Sequence, residues 1–263
     1  MQLFSVKTPL IRPKDNLVDI LLRSVKKQGL KLQEGDILAI SSKVLSYAEG
    51  RVIRIDEKPA SKAARKLAEK YSLEPGFVEL VMGEAEEVYG GVYRALLTLK
   101  DSLLLPNAGI DHKNAPRGHV VLLPSNPQRA AERIRGELFL RTGKKVGVLI
   151  VDSHTLPLRL GITGIALGVA GFNAVEDCRG KLDLYGKPLL ITRTAVADSL
   201  ASAANLLMGE TGERTPAVII RGAPVTLREK ANVRETHISP KECLYFKSFK
   251  LKQYYKKRSR RKG

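Results

Sequence analysis

The chain has 263 residues, of which 43% are hydrophobic and 27% charged, as expected of a soluble globular protein. The longest apolar runs, such as residues 146–151, are too short to span a bilayer, so no membrane segment is expected. The start of the chain lacks the apolar stretch of a signal peptide. The two cysteines, Cys178 and Cys243, favour a cytoplasmic protein without a disulfide framework, with one long-range bridge left open for a hyperthermophile.

The first half of the chain predicts a mixture of strands and helices. Apolar residues recur at helical spacing in residues 16–28, and Gly29 is suited to end that helix. Residues 41–51 are predicted as a polar loop. In chain order, the predicted elements are strand Gln2–Val6, helix 16–28, strand 36–41, helix 61–70, helix 74–88 and strand Leu103–Pro106.

The second half continues this mixture. Residues 145–152, KVGVLIVD, form the clearest buried strand, which is predicted to end at Asp152. Residues 161–171 are Gly-rich and apolar, and residues 177–190 contain the turn-like sequence DLYG. The other predicted elements are loop 124–127, helix 128–142, strand 191–197, helix 198–208 and strand 217–222. The irregular alternation predicts an α+β (mixed α/β) protein rather than a regular βαβ series.

Charge is the most unusual feature of the composition. The net charge is +18, and residues 247–263 supply half of it through nine Lys or Arg without an acid. The rest of the chain is also basic, which favours an anionic ligand such as a nucleotide or a phosphate ester. The tail interleaves cations with Phe249, Tyr254 and Tyr255, which predicts RNA contact through phosphate neutralisation and base stacking. A solvated, disordered terminus is the alternative.

Three acids follow strands or helices in the pattern of a cation site. Asp111 follows strand Leu103–Pro106 and the tight turn Asn107-Ala108-Gly109, Asp152 closes a buried strand, and Glu210 lies between Gly209 and Gly212. Oxygen ligands from three loops, with no His or Cys pairing nearby, suit Mg²⁺ or Mn²⁺, which often take substrate phosphates as further ligands. Each acid alone is also a common turn cap. The sequence contains neither GxxxxGK[ST] nor a GxGxxG between strand and helix, which excludes P-loop and Rossmann nucleotide sites.

Several sequence blocks resemble one family in the same order. They are TPLI, SSKVLSYAEGR, PNAGID, VGVLIVDS, KLDLYGKPL and ANLLMGE followed by TPAVIIRG. Over residues 1–245 the chain resembles the coenzyme F-420-0:L-glutamate ligases, archaeal gamma-glutamyl ligases. The resemblance implies a two-domain gamma-glutamyl-ligase-like fold that forms a homodimer. It places the ligase body at residues 1–246, as two intertwined subdomains, and leaves residues 247–263 as the basic tail.

The resemblance also implies the chemistry and its residues. GTP would activate an anionic carboxylate acceptor as an acyl phosphate, and L-glutamate would then form the amide, with Mg²⁺ or Mn²⁺ required. The implied catalytic acids are Asp111, Asp152 and Glu210, and the implied metal ligands are the same three with Ser153. The implied GTP contacts are Thr8, Pro9, Leu10, Ile11, Ser42, Lys43, Asn114, Met208, Gly209, Thr211, Gly212, Glu213, Arg214 and Thr215.

Some positions depart from the family pattern. Tyr47 stands in place of a Lys, Thr155 and Leu156 replace a Gly-Arg pair, and Ser199 stands where Glu is frequent. These changes fit a ligase with another carboxylate acceptor as well as one for the coenzyme precursor. Lys43 and Arg159 are candidates to bind phosphate or carboxylate, although each is equally compatible with a solvated surface charge.

His154 next to Ser153 suggests a nucleophile and its base. Neighbouring residues of a strand point to opposite faces, so the sequence argues against a Ser/His hydrolase.

Overall fold

The computed structural model describes residues 1–57, 59–248 and 255–256. In chain order, the strands are β1 (Gln2–Val6), β2 (Ile37–Ser41), β3 (Val52–Arg54), β4 (Glu87–Val92), β5 (Ala95–Lys100), β6 (Leu103–Pro106), β7 (His119–Val121), β8 (Gly147–Thr155), β9 (Ile162–Ala170), β10 (Glu176–Asp177), β11 (Arg193–Thr194), β12 (Ala217–Arg221) and β13 (Tyr255–Lys256). The helices are α1 (Leu17–Lys27), α2 (Ser42–Ala48), α3 (Lys62–Tyr71), α4 (Pro75–Glu84), α5 (Pro127–Thr142), α6 (Val196–Met208) and α7 (Leu244–Ser248). None of these helices is long and apolar enough to cross a membrane.

The chain divides into two compact units. The first combines Met1–Gly50 with Pro124–Thr236, and the second combines Arg51–Leu123 with His237–Gly263. Helices and mainly antiparallel sheets occur together, which confirms the predicted α+β class. The sheet of the first unit has a single parallel pair in the described chain, β2 with β8, unlike the parallel sheet of a Rossmann fold.

The first unit is built on a five-stranded sheet in the order β1-β12-β2-β8-β9. Side chains alternate between its faces, and Ile37 and Ala39 of β2 share a buried cluster with Leu200 and Ala201 of α6. Helix α6 lies close to β9, because a Cβ added to Gly164 would be 2.2 Å from the Ala201 carbonyl oxygen. Only glycine allows the helix to approach the strand this closely.

The second unit contains a four-stranded sheet in the order β13-β4-β5-β6 and the separate pair β3-β7. Its core joins α3 and α4 to these strands through side chains such as Phe77, Val81, Val88 and Leu96, which are all buried. Cys178 in the first unit and Cys243 in the second are free thiols, so the long-range bridge left open by the sequence is not formed.

Most predicted elements are confirmed within a few residues. The strand Gln2–Val6 has the predicted bounds, and α1 starts after Asn16, whose side chain accepts a hydrogen bond from the Asp19 amide. At its other end, Gly29 has φ +71° and the Leu30 amide donates to the Val25 carbonyl. This is the left-handed helix ending that the glycine predicted.

Four predicted bounds are wrong for identifiable reasons. Residues 41–51 are not a polar loop, because α2 forms there and buries Leu45; seven residues are too few to show a helical period. The predicted helix 74–88 ends at Glu84, since the chain continues into β4, which pairs with β5. Strand β8 continues past Asp152 to Thr155 because β9 pairs with it throughout. The predicted strand 191–197 is reduced to β11, and α6 already begins at Val196.

The predicted basic tail is only partly described. Lys247 and Ser248 complete α7, and β13 pairs antiparallel with β4 through Tyr255 and Lys256. The other residues of 247–263 lie outside the described part of the chain, so the predicted disorder and RNA contact stay predictions.

Candidate active site

One edge of the first unit's sheet gathers most of the predicted site residues. In the parallel pair, Ser41 of β2 lies opposite Val151 of β8, so the next residues, Ser42 and Asp152, are neighbours at that edge. Strand β12 runs antiparallel to both β1 and β2, so the loop that precedes it enters at the same edge. We call this the carboxyl edge, where β1 and β2 end and β12 begins.

Hydrogen bonds join the segments at the carboxyl edge. The Thr8 amide donates to the Arg214 carbonyl at 3.0 Å, and the Ser41 amide donates to the Pro216 carbonyl at 2.8 Å. The Ser42 hydroxyl donates to Oδ1 of Asp152 at 2.6 Å. The structure therefore brings together the predicted nucleotide segments 8–11, 42–43 and 208–215 with the predicted ligands Asp152 and Ser153.

The loop that follows α6 has its own internal support. Gly209 has φ +71° and ψ −179°, a conformation that is essentially restricted to glycine. The Glu213 carboxylate accepts from the Thr211 amide at 2.8 Å and from its hydroxyl at 2.7 Å, and these bonds lower the pKa of Glu213. The side chain of Asn205 in α6 donates to Glu210 at 3.4 Å. Asn205, which the sequence analysis did not identify, thus holds a predicted metal ligand from the preceding helix.

The first predicted nucleotide segment is partly structural. Thr8 and Ile11 are buried, whereas Leu10 is 66% exposed. Thr8 and Ile11 therefore fasten the segment to the unit, while Pro9 and Leu10 are the residues presented to solvent. Such a division suits a surface that must hold its shape before a ligand binds.

Asp111 and Asn114 belong to the second unit. The turn before Asp111 has left-handed backbone at Asn107, Ala108 and Gly109, with φ values of 52°, 54° and 73°. A non-glycine residue rarely adopts this conformation, and it persists only where surrounding contacts enforce it. Asp111 leaves the turn bonded through its backbone to Val121, with N–O distances of 3.0 and 2.9 Å.

The contacts that enforce this turn come from β5. The Thr98 hydroxyl accepts from the Ala108 amide at 2.8 Å and donates to the Leu105 carbonyl at 2.6 Å. The Asn107 side chain accepts from the Leu96 amide at 2.8 Å. Beyond the turn, Oδ1 of Asp111 accepts from the Lys113 amide at 2.8 Å. The predicted tight turn is confirmed, and its support lies in a strand that the sequence analysis did not predict.

We expect the substitution Thr98→Val to destabilise the protein by about 1–3 kcal/mol, because it leaves the buried Ala108 amide without an acceptor. Thermal or urea unfolding measures the loss. Thr142→Val is the matched control: its hydroxyl also donates to a carbonyl and accepts from an amide, but it is half-buried, so water can replace the lost bonds. Equal losses in the two variants would contradict the role given to Thr98.

The donor atoms at the carboxyl edge fit a hard cation. Asp152, Ser153 and Glu210 offer only oxygen ligands, which is the set that Mg²⁺ and Mn²⁺ prefer. Within residues 1–57, 59–248 and 255–256, no group of three or more His, Cys, Asp or Glu side chains is placed to hold a metal ion.

Ser153 and His154, which follow Asp152, do not form the nucleophile–base pair that their sequence suggests. Nδ1 of His154 is buried without a hydrogen-bond partner in the described chain. Burial lowers the pKa of His154, and the charge of Asp198 partly opposes that shift. Ser153 and His154 pair with successive residues of β9, so their side chains point to opposite faces and do not form a nucleophile–base pair.

The positions that depart from the family pattern lie in different settings. Tyr47 is half-buried in α2, and burial raises its pKa. Thr155 ends β8, and Leu156 and Arg159 follow it in an exposed loop. The Ser199 hydroxyl donates to the Ala195 carbonyl at 2.8 Å within the first turn of α6.

Comparison with known proteins gives a consistent family. The family model described as F420-0:Gamma-glutamyl ligase matches residues 5–222. The chain is 42% identical to the coenzyme F420:L-glutamate ligase of Methanopyrus kandleri over 213 residues, covering 81% of this chain and 82% of that protein. It is 39% identical to the protein of that name from Archaeoglobus fulgidus over 217 residues, covering 82% and 85%. The chain belongs to the F420-0:gamma-glutamyl ligase family.

Proposed function

We propose that this chain is a ligase that adds L-glutamate to the coenzyme F420 precursor, using GTP and a divalent metal ion. The relatives named above carry the name coenzyme F420:L-glutamate ligase, which supports the glutamate and the coenzyme. The observation that supports GTP and the metal ion is that four segments meet at the carboxyl edge, namely 8–11, 42–43, 152–153 and 208–215. Each of these segments carries residues of the nucleotide and metal pattern.

In this mechanism a carboxylate oxygen of the acceptor attacks the γ-phosphorus of GTP, and the bond to the bridging oxygen breaks to release GDP. The glutamate amine then attacks the acyl phosphate, loses a proton and displaces phosphate, leaving an amide. Phosphoryl transfer depends mainly on in-line positioning and charge neutralisation. A divalent ion, when bound, neutralises phosphate charge.

The residues of the first unit have distinct roles in this proposal. Asp152, Ser153 and Glu210 would hold the ion, and the ammonium group of Lys43 would bind a phosphate. The loop 208–215 would face the phosphates with its backbone amides, which suit anions in such turns. Asp111 and Asn114 keep their proposed metal and nucleotide roles, and Asp111 is tested as a separate variant because it belongs to the second unit.

We expect calorimetry to show GTP binding with Mg²⁺ or Mn²⁺ and its loss with a chelator, because the triphosphate and the acids repel each other without a cation. Incubation with GTP, labelled glutamate and the coenzyme precursor should give a product heavier by one glutamyl residue in mass spectrometry. Equal GTP affinity with and without metal would contradict the metal site. Transfer of glutamate to another carboxylate, but not to the precursor, would instead support the alternative acceptor suggested by Tyr47, Thr155, Leu156 and Ser199.

We also propose that the protein is a homodimer. Two loops of the first unit carry apolar side chains at or near full exposure, namely Leu158, Leu160, Leu184, Tyr185, Leu190 and Ile191. Leu158 additionally has left-handed backbone with φ +56°. Exposed apolar side chains that cluster often mark an interface between proteins, and in this proposal a second copy would bury the same loops on both sides of a twofold axis.

Sedimentation velocity should therefore give a dimer for the wild type and a monomer for the double variant Leu158→Lys with Leu184→Lys. The matched control is Leu140→Lys, since Leu140 is also highly exposed, at 85%, but lies on helix α5. A monomeric wild type would contradict the proposal.

A further inference from the structure

Ser42 is placed to act on Asp152 rather than on a ligand through its side chain. It begins α2 directly after β2 and is only 2% exposed. Its hydroxyl donates to Oδ1 of Asp152 at 2.6 Å, across the only parallel strand pair of the first unit's sheet in the described chain. A hydroxyl has a single proton to donate, so this bond commits the Ser42 proton to the carboxylate.

The bond restricts how Asp152 can turn. A hydrogen bond at Oδ1 restrains rotation of the Asp152 carboxylate about its Cβ–Cγ bond and so favours one direction for Oδ2. Metal-binding carboxylates are commonly held this way by a neighbouring donor, and loss of the donor weakens metal binding about 10- to 100-fold. Because Ser42 is the first residue of α2, the orientation of Asp152 depends on the position of this helix, which directly follows β2.

We propose that Ser42 is a positioning residue that presets Asp152 for a divalent cation. This inference rests on the proposed function, because it assigns Ser42 a task toward the metal that Asp152 is proposed to bind. It assigns the Ser42 side chain to the carboxylate and leaves the nucleotide to the exposed parts of the carboxyl edge. Ser42 does not touch the reacting atoms in this arrangement.

The chain provides a matched control one helical turn away. Ser46 is on the same helix, is 0% exposed, and its hydroxyl has no hydrogen-bond partner among the described residues. Ser42→Ala and Ser46→Ala therefore each remove one hydroxyl oxygen of a buried serine from the same seven-residue helix. Only the first substitution removes a bond to Asp152.

The experiment titrates the full chain with Mn²⁺ alone and follows the free ion by electron paramagnetic resonance. Ser42→Ala should weaken Mn²⁺ binding about tenfold or more, and Ser46→Ala should bind as the wild type does. In the Asp152→Ala background, which removes the acceptor of the Ser42 hydroxyl, Ser42→Ala should cause no further loss, because Ser42 acts only through the Asp152 carboxylate. Thermal unfolding of each variant reports on the fold, and Ser42→Cys, which keeps the volume but donates weakly, replaces Ser42→Ala if that variant does not fold.

Wild-type Mn²⁺ affinity in Ser42→Ala, or an equal loss in Ser46→Ala, would overturn the inference while leaving the proposed function intact. An additional loss in the double variant would also overturn it. A wild-type protein that binds no Mn²⁺ would overturn the proposed function and this inference together.

Discussion

Asp152→Asn is expected to abolish most glutamate transfer while the protein stays folded. The substitution keeps the size of the side chain and an oxygen that can still accept from Ser42, but it removes the charge that would hold the cation. Losing a metal ligand should cost more than the roughly 10- to 100-fold penalty for losing an outer partner. The rate of GTP-dependent glutamate incorporation measures the effect, and circular dichroism checks the fold.

Two further variants separate the acids from one another. Glu210→Gln tests the other carboxylate of the first unit, and Asp111→Asn tests the acid of the second unit. If all three variants keep rates near the wild type, the metal assignment is wrong. If only Asp111→Asn does so, the cation is held by the first unit without that residue.

The largest expected loss of stability comes from Gly164→Ala. A Cβ at this position would lie 2.2 Å from the Ala201 carbonyl oxygen and 2.8 Å from the Ser202 amide nitrogen, and backbone atoms of a helix cannot move aside cheaply. Helix α6 would have to shift away from β9, at a cost of about 3 kcal/mol, the upper part of the range for overpacked cores. Because α6 leads directly into the loop with Glu210, GTP binding should weaken as well.

Gly136→Ala is the matched control for this prediction. Gly136 lies in the middle of α5 and is exposed, and a Cβ added there would meet no atom within 4 Å apart from its own helix backbone. Alanine there should stabilise the helix by roughly 0.5–1 kcal/mol. Chemical denaturation of both variants gives the two signs, and a Gly164→Ala protein as stable as the wild type would refute the close contact between α6 and β9.

Local sequence patterns were sufficient to predict the strands and helices in which one face is clearly apolar and buried. Strand β1, helix α1 and strand β12 were predicted closely because alternation, helical spacing and terminal residues agree there. Helix α2 was missed because its seven residues are too few to show a helical period of apolar residues. Strand β4 was missed because the acidic residues around its start were assigned to the preceding helix. The support of the Asp111 turn by Thr98 was invisible, since it depends on the pairing of β5 with β6.

The candidate site was predictable in its residue types but not in its assembly. The sequence identified the acids as candidate cation ligands and the glycines beside Glu210 as candidates to bind phosphate. The family resemblance then supplied the role of each residue. What could not be predicted is that β2 lies between β12 and β8, because that order joins distant parts of the chain. The contact between Ser42 and Asp152 follows from this order and from no local signal.

The order β1-β12-β2 also determines when the sheet can assemble during synthesis. Gln2 pairs with Arg221 and Ile37 pairs with Ile220, so β1 and β2 are joined in the sheet through β12, which is the last of its strands in chain order. At roughly 5–20 residues per second, a ribosome needs on the order of ten seconds or more to deliver β12 after β2. Until then both strands present unpaired edges, and such long-range closure is slow to fold and exposed to aggregation. Until β12 is made, nascent-chain quality control therefore meets β1 without its strand partner and β2 with one edge unpaired.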